Sequence, residues 1–129
     1  MKRALLSLVI VTGVAGIPLF AHHAFAAHYL EGQTMSVEGE LVEWEYRNPH
    51  AWVHVTAPDS IGTLQRYSAE WASPSRLNRQ GITKDTLKPG DHVIVTGSPG
   101  RNAADRTLHL KRIERPADGW KWTGGRERR

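Results

Sequence analysis

The sequence predicts an all-β domain with one short helix. Three observations support this prediction: apolar and polar residues alternate along most segments as they do in strands, one segment carries helix-capping residues, and turn residues separate the segments. The chain has 129 residues, which is enough for one domain with its own core. It has no cysteine, so disulfide frameworks, thiolate catalysis and zinc–thiolate sites are excluded.

The apolar residues of Thr34–Tyr46 predict a long first strand whose buried face changes partway along it. Up to Leu41 these residues occupy odd positions, and from Val42 onward they occupy even positions. Such a switch is typical of a β-bulge or a sharp coil, because a shift of one residue moves every side chain to the other face. Gly39 can permit the bend. The acidic residues of this strand are expected to face solvent: Glu38, Glu40, Glu43 and Glu45.

The next segment combines a turn with a strand that carries potential ligands on one face. Pro49 fixes its own φ and disfavours helix at Asn48, so a turn is predicted before a second strand over His50–Ala57. Side chains alternate along a strand, so two imidazoles and an indole share one face. The residues on that face are His50, Trp52, His54 and Thr56, opposite Ala51, Val53 and Val55.

The remaining elements complete a recognisable order. Ser73 as N-cap, Pro74 at the first helical position and Gly81 as the stop predict one short helix. The other strands are predicted over Thr63–Trp71, His92–Ser98, Thr107–Arg115 and, as a short last one, Trp120–Trp122. The order β-β-β-α-β-β with a long first strand predicts a small five-stranded OB-like Greek-key barrel. An unrelated small barrel or sandwich is the alternative.

The beginning of the chain predicts an export signal. A basic Met1–Arg3 precedes the apolar stretch Leu5–Phe20, which is too short and too rich in small residues for a membrane span. Cleavage after Ala21 is favoured because Pro18 ends the apolar helix there, and cleavage after Ala26 is the alternative. We therefore expect a signal peptide over residues 1–21, an arm over 22–33, the barrel over 34–123 and a basic disordered tail over 124–129. The mature protein is expected to be periplasmic or secreted, with no membrane span.

Charge and export together bear on the partners. Without Lys2 and Arg3 the chain has 15 basic and 13 acidic residues, a formal charge of +2. A nearly balanced, exported domain argues against nucleic acid as a partner. The expected partners are a small ligand or a metal ion and, as a further possibility, a periplasmic protein.

A nitrogen-rich metal site is the first functional hypothesis. Cleavage after Ala21 leaves His22 as the new N-terminus, where its amine and its ring can bind one metal together, an arrangement that suits Cu(II) or Ni(II). The candidate ligands are His22, His23, His50, His54 and Glu70, the last as an oxygen ligand or as the carboxylate that orients a histidine. The expected metal is copper before zinc. The alternative reading makes His50 a turn residue and His54 a half-exposed strand residue.

The second hypothesis is a barrel that binds a glycan, a small polar ligand or a partner protein through an aromatic face, without metal. Trp52 and Tyr67 are its candidate binding residues, whereas Trp44 and Trp71 are expected in the core. Catalysis is not expected. Ser73 is better explained as an N-cap than as a nucleophile, and the sequence has no nucleophile elbow, phosphate loop or paired catalytic carboxylates.

The chain also resembles a domain-of-unknown-function family of small exported bacterial proteins, number 6152. The resemblance rests on several short motifs: His22-His23-Ala24-Phe25-Ala26, Asn48-Pro49-His50-Ala51-Trp52, Glu70 with Ser73-Pro74, Leu77, Arg79-Gln80-Gly81, Leu87-Lys88-Pro89-Gly90-Asp91 and Asp118-Gly119. It implies export, one compact β-rich domain and no particular activity. It also favours cleavage after Ala21, because it puts the histidine pair close behind the signal. His54 and the arginine-rich tail depart from the family pattern.

The two cleavage positions give a direct prediction. When the full precursor is expressed with export intact and no N-terminal tag, the intact mass of the mature protein should correspond to a chain that begins at His22. A mass that corresponds to a start at Ala27 would remove the N-terminal histidine pair from any metal site.

Overall fold

The computed structural model describes residues 24–125, so the predicted signal peptide, His22, His23 and residues 126–129 of the predicted tail lie outside it. Its strands are β1 (Met35–Glu45), β2 (Trp52–Pro58), β3 (Leu64–Glu70), β4 (His92–Pro99), β5 (Thr107–Arg115) and β6 (Trp120–Thr123). One α-helix, α1 (Pro74–Arg79), lies between β3 and β4, and a 3-10 turn, Ala103–Asp105, precedes β5. No helix among the described residues is long and apolar enough to cross a membrane.

Five strands close into an OB-like barrel. β1 pairs with β2 and with β4, both antiparallel, and β3 and β5 extend these two pairs. A parallel pairing of β3 with Thr107–His109 of β5 closes the ring, and β6 pairs with Arg112–Arg115, farther along β5. The predicted order, including the helix between the third and fourth strands and the short last strand, is confirmed.

The inside of the barrel is filled by the apolar side chains that occupy alternate positions of each strand. The central residues are fully buried: Leu41, Val53, Val55, Val93, Val95, Leu108 and Ile113. Leu77 of α1 is also fully buried and extends this core beyond the strands. The helix is capped as predicted, because the Ser73 hydroxyl accepts a hydrogen bond from the Arg76 amide and Gly81 follows with a φ of 80°.

The predicted switch of parity in β1 is a β-bulge. The register with β2 shifts between Leu41 and Glu43, and the extra residue, Val42, is 36% exposed. Before the bulge Leu41 lies opposite Val55, and beyond it Glu43 lies opposite His54. The bulge therefore turns the acidic side chains at the end of β1 to the outside of the barrel, on the face that carries His54.

Glycine occupies position 39 because two strands approach closely there, and not because of the expected bend. A Cβ atom at this position would overlap the backbone carbonyl of Thr56 on β2. The residue is therefore required by the close approach of two barrel strands, since only glycine lacks the colliding atom.

One local expectation is wrong, and the arm contains structure that the sequence did not predict. The second strand begins at Trp52, so His50 precedes the strand and lies in the segment that leads into it. In the arm, residues 24–28 are helical, and Tyr29 then forms a β-bridge with Gly100. Tyr29 is 3% exposed, so this part of the arm is fixed to the barrel.

Substitution of Gly39 by Ala should lower the free energy of unfolding by about 1–3 kcal/mol, because the added methyl group forces the two strands apart. Gly32→Ala is the matched control, since nothing lies within 4 Å of a Cβ placed there, and its effect should stay within about 0.5 kcal/mol. Urea unfolding of both variants measures the difference. Equal effects of the two substitutions would contradict the close approach as the reason for Gly39.

Candidate functional site

Within the part of the chain that the structure describes, the predicted metal ligands His50, His54 and Glu70 do not meet at one point. His50 contacts Glu70, whereas His54 lies in a separate cluster on the outer face of β1, β2 and β3. Among residues 24–125, one group alone brings three potential ligand atoms within 4.8 Å of one another, and it consists of Glu43, Glu45 and His54. His22 and His23 lie outside the described residues.

His54 is the buried member of this cluster. The residue is 8% exposed, and its Nδ1 lies 2.7 Å from the hydroxyl of Ser68 on β3. Its Nε2 is fully buried and has no hydrogen-bond partner in the part of the chain that the structure describes. A buried polar atom without a partner costs roughly 1–3 kcal/mol, so this nitrogen calls for an explanation.

Each carboxylate binds an arginine through Oε2, and the two carboxylates are also within hydrogen-bond reach of each other. Glu43 accepts a hydrogen bond from Arg66 at 2.5 Å through Oε2, and Glu45 accepts one from Arg47 at 3.2 Å through Oε2. Oε1 of Glu45 lies 3.7 Å from Nε2 of His54, which is too long for a hydrogen bond. The hydrogen bond from Arg66 holds the pKa of Glu43 below its usual value, so this carboxylate stays ionised.

Trp52 covers one side of the cluster. Its ring lies nearly parallel to that of His54, with an interplanar angle of 7° and a centroid distance of 6.3 Å. Trp52 is half-buried and lies opposite Glu45 in the β1–β2 register. The imidazole is therefore enclosed by Ser68, Trp52 and the two glutamates.

This arrangement is suited to a cation. With Nδ1–H donated to Ser68, the imidazole presents a lone pair at Nε2 beside two carboxylates. A bound cation can accept that lone pair and offset the repulsion between the carboxylates. The expectation that Glu43 and Glu45 are merely solvent-facing charges missed this cluster. The signal was available, since the parity switch at Val42 turns both residues to the face of His54.

A second group of polar residues joins the arm to the barrel. Glu70 accepts a hydrogen bond from the Tyr29 hydroxyl at 2.5 Å, and its other oxygen lies 2.7 Å from Nδ1 of His50. Burial, followed by this hydrogen bond, raises the pKa of Tyr29 well above its usual value. The phenol therefore remains a donor, and Glu70 holds both the arm and the His50 ring in place.

His109 on β5 forms a second histidine–glutamate pair beside that of His50 and Glu70. Its Nδ1 lies 2.7 Å from Glu31, which also accepts a hydrogen bond from Lys111 at 2.8 Å. Phe25 of the arm stacks on the imidazole at 3.9 Å between ring centroids and 5° between planes. The same Phe25 ring lies 5.4 Å from His50.

In both His109 and Glu31, burial and hydrogen bonding shift the pKa in opposite directions. Burial lowers the pKa of His109 despite the nearby Glu31. Burial also acts to raise the pKa of Glu31, but hydrogen bonds from Lys111 and His109 outweigh it and lower that pKa. The favoured state is a neutral imidazole that donates Nδ1–H to a charged carboxylate and keeps a lone pair on Nε2.

The predicted aromatic surface is not formed. Tyr67 is 8% exposed and belongs to the barrel core, so it is not the exposed binding residue that the sequence suggested. The error has a simple cause: Tyr67 shares the inward parity of Ala69, and both are buried. Trp52 faces outward as predicted but packs against His54.

A family model described as "Family of unknown function (DUF6152)" matches residues 9–109. This match confirms the resemblance noted from the short motifs. No curated protein matches the chain significantly.

Solved structures with a similar fold include two single-stranded-DNA-binding proteins. The mitochondrial protein Rim1 of S. cerevisiae is 14% identical, with a TM-score of 0.46, and the match covers 72% of this chain and 97% of that one. A small single-stranded-DNA-binding protein of Streptomyces coelicolor is 15% identical, with a TM-score of 0.42, and the match covers 64% and 91%. These neighbours contradict the expectation that nucleic acid is not a partner, which came from charge and export. At such identities the likeness concerns the fold alone and assigns no partner.

The lowered pKa of His109 predicts a pH dependence of stability. The unfolded chain takes up a proton near the ordinary histidine pKa of about 6.5, whereas the folded chain does so only at lower pH. The neutral imidazole therefore stabilises the fold above the pKa of the unfolded chain. This contribution is lost as the pH falls through the pKa of the folded chain. Unfolding titrations between about pH 7.5 and 5 should show wild type losing stability relative to His109→Gln. A difference that stays constant over this range would contradict the assignment of a neutral His109.

Proposed function

This chain belongs to the Family of unknown function DUF6152, and we propose that it is an exported accessory module which binds one divalent metal ion on the outer face of its barrel. The ligands are His54, Glu43 and Glu45. The observation that carries the proposal is the buried Nε2 of His54, which has no hydrogen-bond partner among the described residues and lies beside two carboxylates.

Zinc is the ion that this set of ligands fits best. The expectation of copper before zinc came from an N-terminal amine and several imidazoles, whereas this cluster offers one imidazole and two carboxylates. Zinc binds histidine and glutamate together readily, and three protein ligands leave a fourth position for water or for a ligand of a partner. Bound zinc would supply a Lewis acid there.

The contact of His54 Nδ1 with the Ser68 hydroxyl supports ligation through Nε2. A histidine that binds a metal usually donates its other ring N–H to an oxygen, which fixes the tautomer and the ring orientation. Ser68 is that oxygen for His54, at 2.7 Å. The Trp52 ring lies parallel to the imidazole, with ring centroids 6.3 Å apart.

Arg66 is the competitor of the metal. Its guanidinium binds Oε2 of Glu43 at 2.5 Å and neutralises part of the negative charge that the metal would use. Because the side chains of both partners are about half exposed, this ion pair contributes little to stability and yields readily to a stronger ligand.

Export supports a binding role outside the cytoplasm. We infer from the basic first residues and the apolar stretch after them that the protein acts in the periplasm or is secreted. We also infer that it binds rather than catalyses, since the sequence carries no motif of a hydrolase or a phosphoryl-transfer enzyme. The histidine pair His22-His23 stays a separate prediction, tested by the mature N-terminus.

The aromatic alternative has less support. Tyr67 is buried in the core, and the half-buried Trp52 packs against His54, so these two residues do not form a continuous stacking surface. Trp52 is better explained as the cover of the metal cluster.

Calorimetric titration of the mature protein with Zn²⁺ tests the proposal. Wild type should bind zinc, and the Glu43→Gln/Glu45→Gln double variant should lose at least about 100-fold in affinity at this site, since loss of an outer partner alone costs 10–100-fold. Glu38→Gln is the matched control. Glu38 is another glutamate of β1 that contacts a histidine, His92 at 3.0 Å, but it lies outside the cluster.

A second variant separates ligation from surface charge. Arg66→Gln should strengthen zinc binding, because it frees Glu43, whereas a purely structural role of the glutamates would leave zinc affinity unchanged. Zinc binding that is equal in wild type, in the double variant and in Glu38→Gln would refute the assignment of these ligands. If that remaining binding disappears when His22 is removed, the metal site lies at the N-terminus.

A further inference from the structure

A cleft between the arm and the barrel is unconnected with the metal cluster. Its volume is about 490 Å³, and its walls include Phe25, Trp71, Trp122, Arg76, His50 and His109. Cavities of roughly 300–1,000 Å³ are typical for small organic ligands. We propose that this cleft binds a small planar organic anion, namely an aromatic carboxylate that carries a hydroxyl group.

The charge of the lining selects an anion. Arg76 and Lys111 line the cleft, and no carboxylate lines it among the described residues. The Arg76 guanidinium makes no hydrogen bond or ion pair within residues 24–125, so its donors are available in a fork that matches a carboxylate. Lys111 is held toward Glu31 at 2.8 Å and adds positive charge.

The aromatic walls select a flat ligand. Trp71 and Trp122 meet edge to face, with ring centroids 4.9 Å apart and an interplanar angle of 66°. Phe25 and His109 form a parallel stack at the arm side. Trp71 is only 2% exposed, so Trp122 is the accessible ring of this pair, and contacts of a planar ligand with such a ring are worth more than apolar area alone.

The histidines select a hydroxyl group. Nδ1 of His50 is engaged by Glu70, and Nδ1 of His109 is engaged by Glu31. Their Nε2 atoms make no hydrogen bond among the described residues, and at His109, whose lowered pKa favours a neutral imidazole with its proton on Nδ1, Nε2 can only accept. A ligand that carries an O–H group therefore suits the cleft better than one with acceptors alone.

The arm makes the cleft possible. Phe25 reaches it because Tyr29 and Glu31, which follow in the same arm, are tied to Glu70 and to His109. None of these residues belongs to the cluster of Glu43, Glu45 and His54. Failure of this inference would therefore leave the proposed metal function untouched, and the reverse also holds.

The test is a calorimetric titration of the mature, metal-free protein with 4-hydroxybenzoate. Neutral 4-hydroxybenzyl alcohol has the same ring and hydroxyl group without the charge, and tyramine carries a positive charge. The carboxylate should bind at millimolar concentration or below, the alcohol about tenfold or more weakly, and tyramine not measurably, because the charged hydrogen bond to Arg76 is lost.

Two arginines of the same helix provide a matched pair. Arg76→Gln should weaken 4-hydroxybenzoate binding about tenfold or more, whereas Arg79→Gln should leave it unchanged. Both arginines are exposed, so both variants should fold, and Arg79 does not line the cleft. Absence of binding by wild type, equal binding of the carboxylate and the alcohol, or equal effects of the two arginine variants would overturn the inference.

Discussion

The parallel pairing of β3 with β5 is the constraint on which the rest of the structure depends. Among the five barrel strands, β3 and β5 are the two ends of the antiparallel order β3-β2-β1-β4-β5, and their pairing turns an open sheet into a closed barrel. The register sets Glu70 beside His109. Two histidine–carboxylate pairs therefore lie next to each other at the place where the arm crosses the barrel, and Phe25 contacts both imidazoles.

The cluster of Glu43, Glu45 and His54 depends on the bulge at Val42. A strand of regular parity would have turned Glu43 and Glu45 into the core, where an ionised carboxylate is strongly disfavoured. One extra residue reverses the parity and brings both carboxylates to the outer face opposite His54 and Trp52. The bulge thus explains both the apolar switch in the sequence and the location of the cluster.

Much of the fold could be predicted from the sequence because its signals are local. Alternation predicted the strands, Ser73, Pro74 and Gly81 predicted the helix, and the change of parity at Val42 predicted the bulge. The helical residues 24–28 could not be predicted in this way, because their contacts are with distant strands. Phe25 stacks on His109, which follows it by more than eighty residues.

The sites were harder to predict because they depend on which strands meet. His50 and His54 share a parity, which suggested one site, but the structure separates them: His50 precedes β2 and contacts Glu70, whereas His54 contacts Ser68 and lies beside Glu45. His109 could be paired with Glu31 only once the arm and β5 were brought together. Tyr67 shows that residue type alone does not predict exposure, since an aromatic residue in a small barrel can lie in the core or on the surface.

The most direct measurement of the central claim is anomalous X-ray diffraction at the zinc edge from crystals of the mature protein soaked in Zn²⁺. The account predicts a peak at about 2 Å from Nε2 of His54 and from one carboxylate oxygen each of Glu43 and Glu45. A zinc peak elsewhere on the protein, with Nε2 of His54 still without a partner, would contradict it.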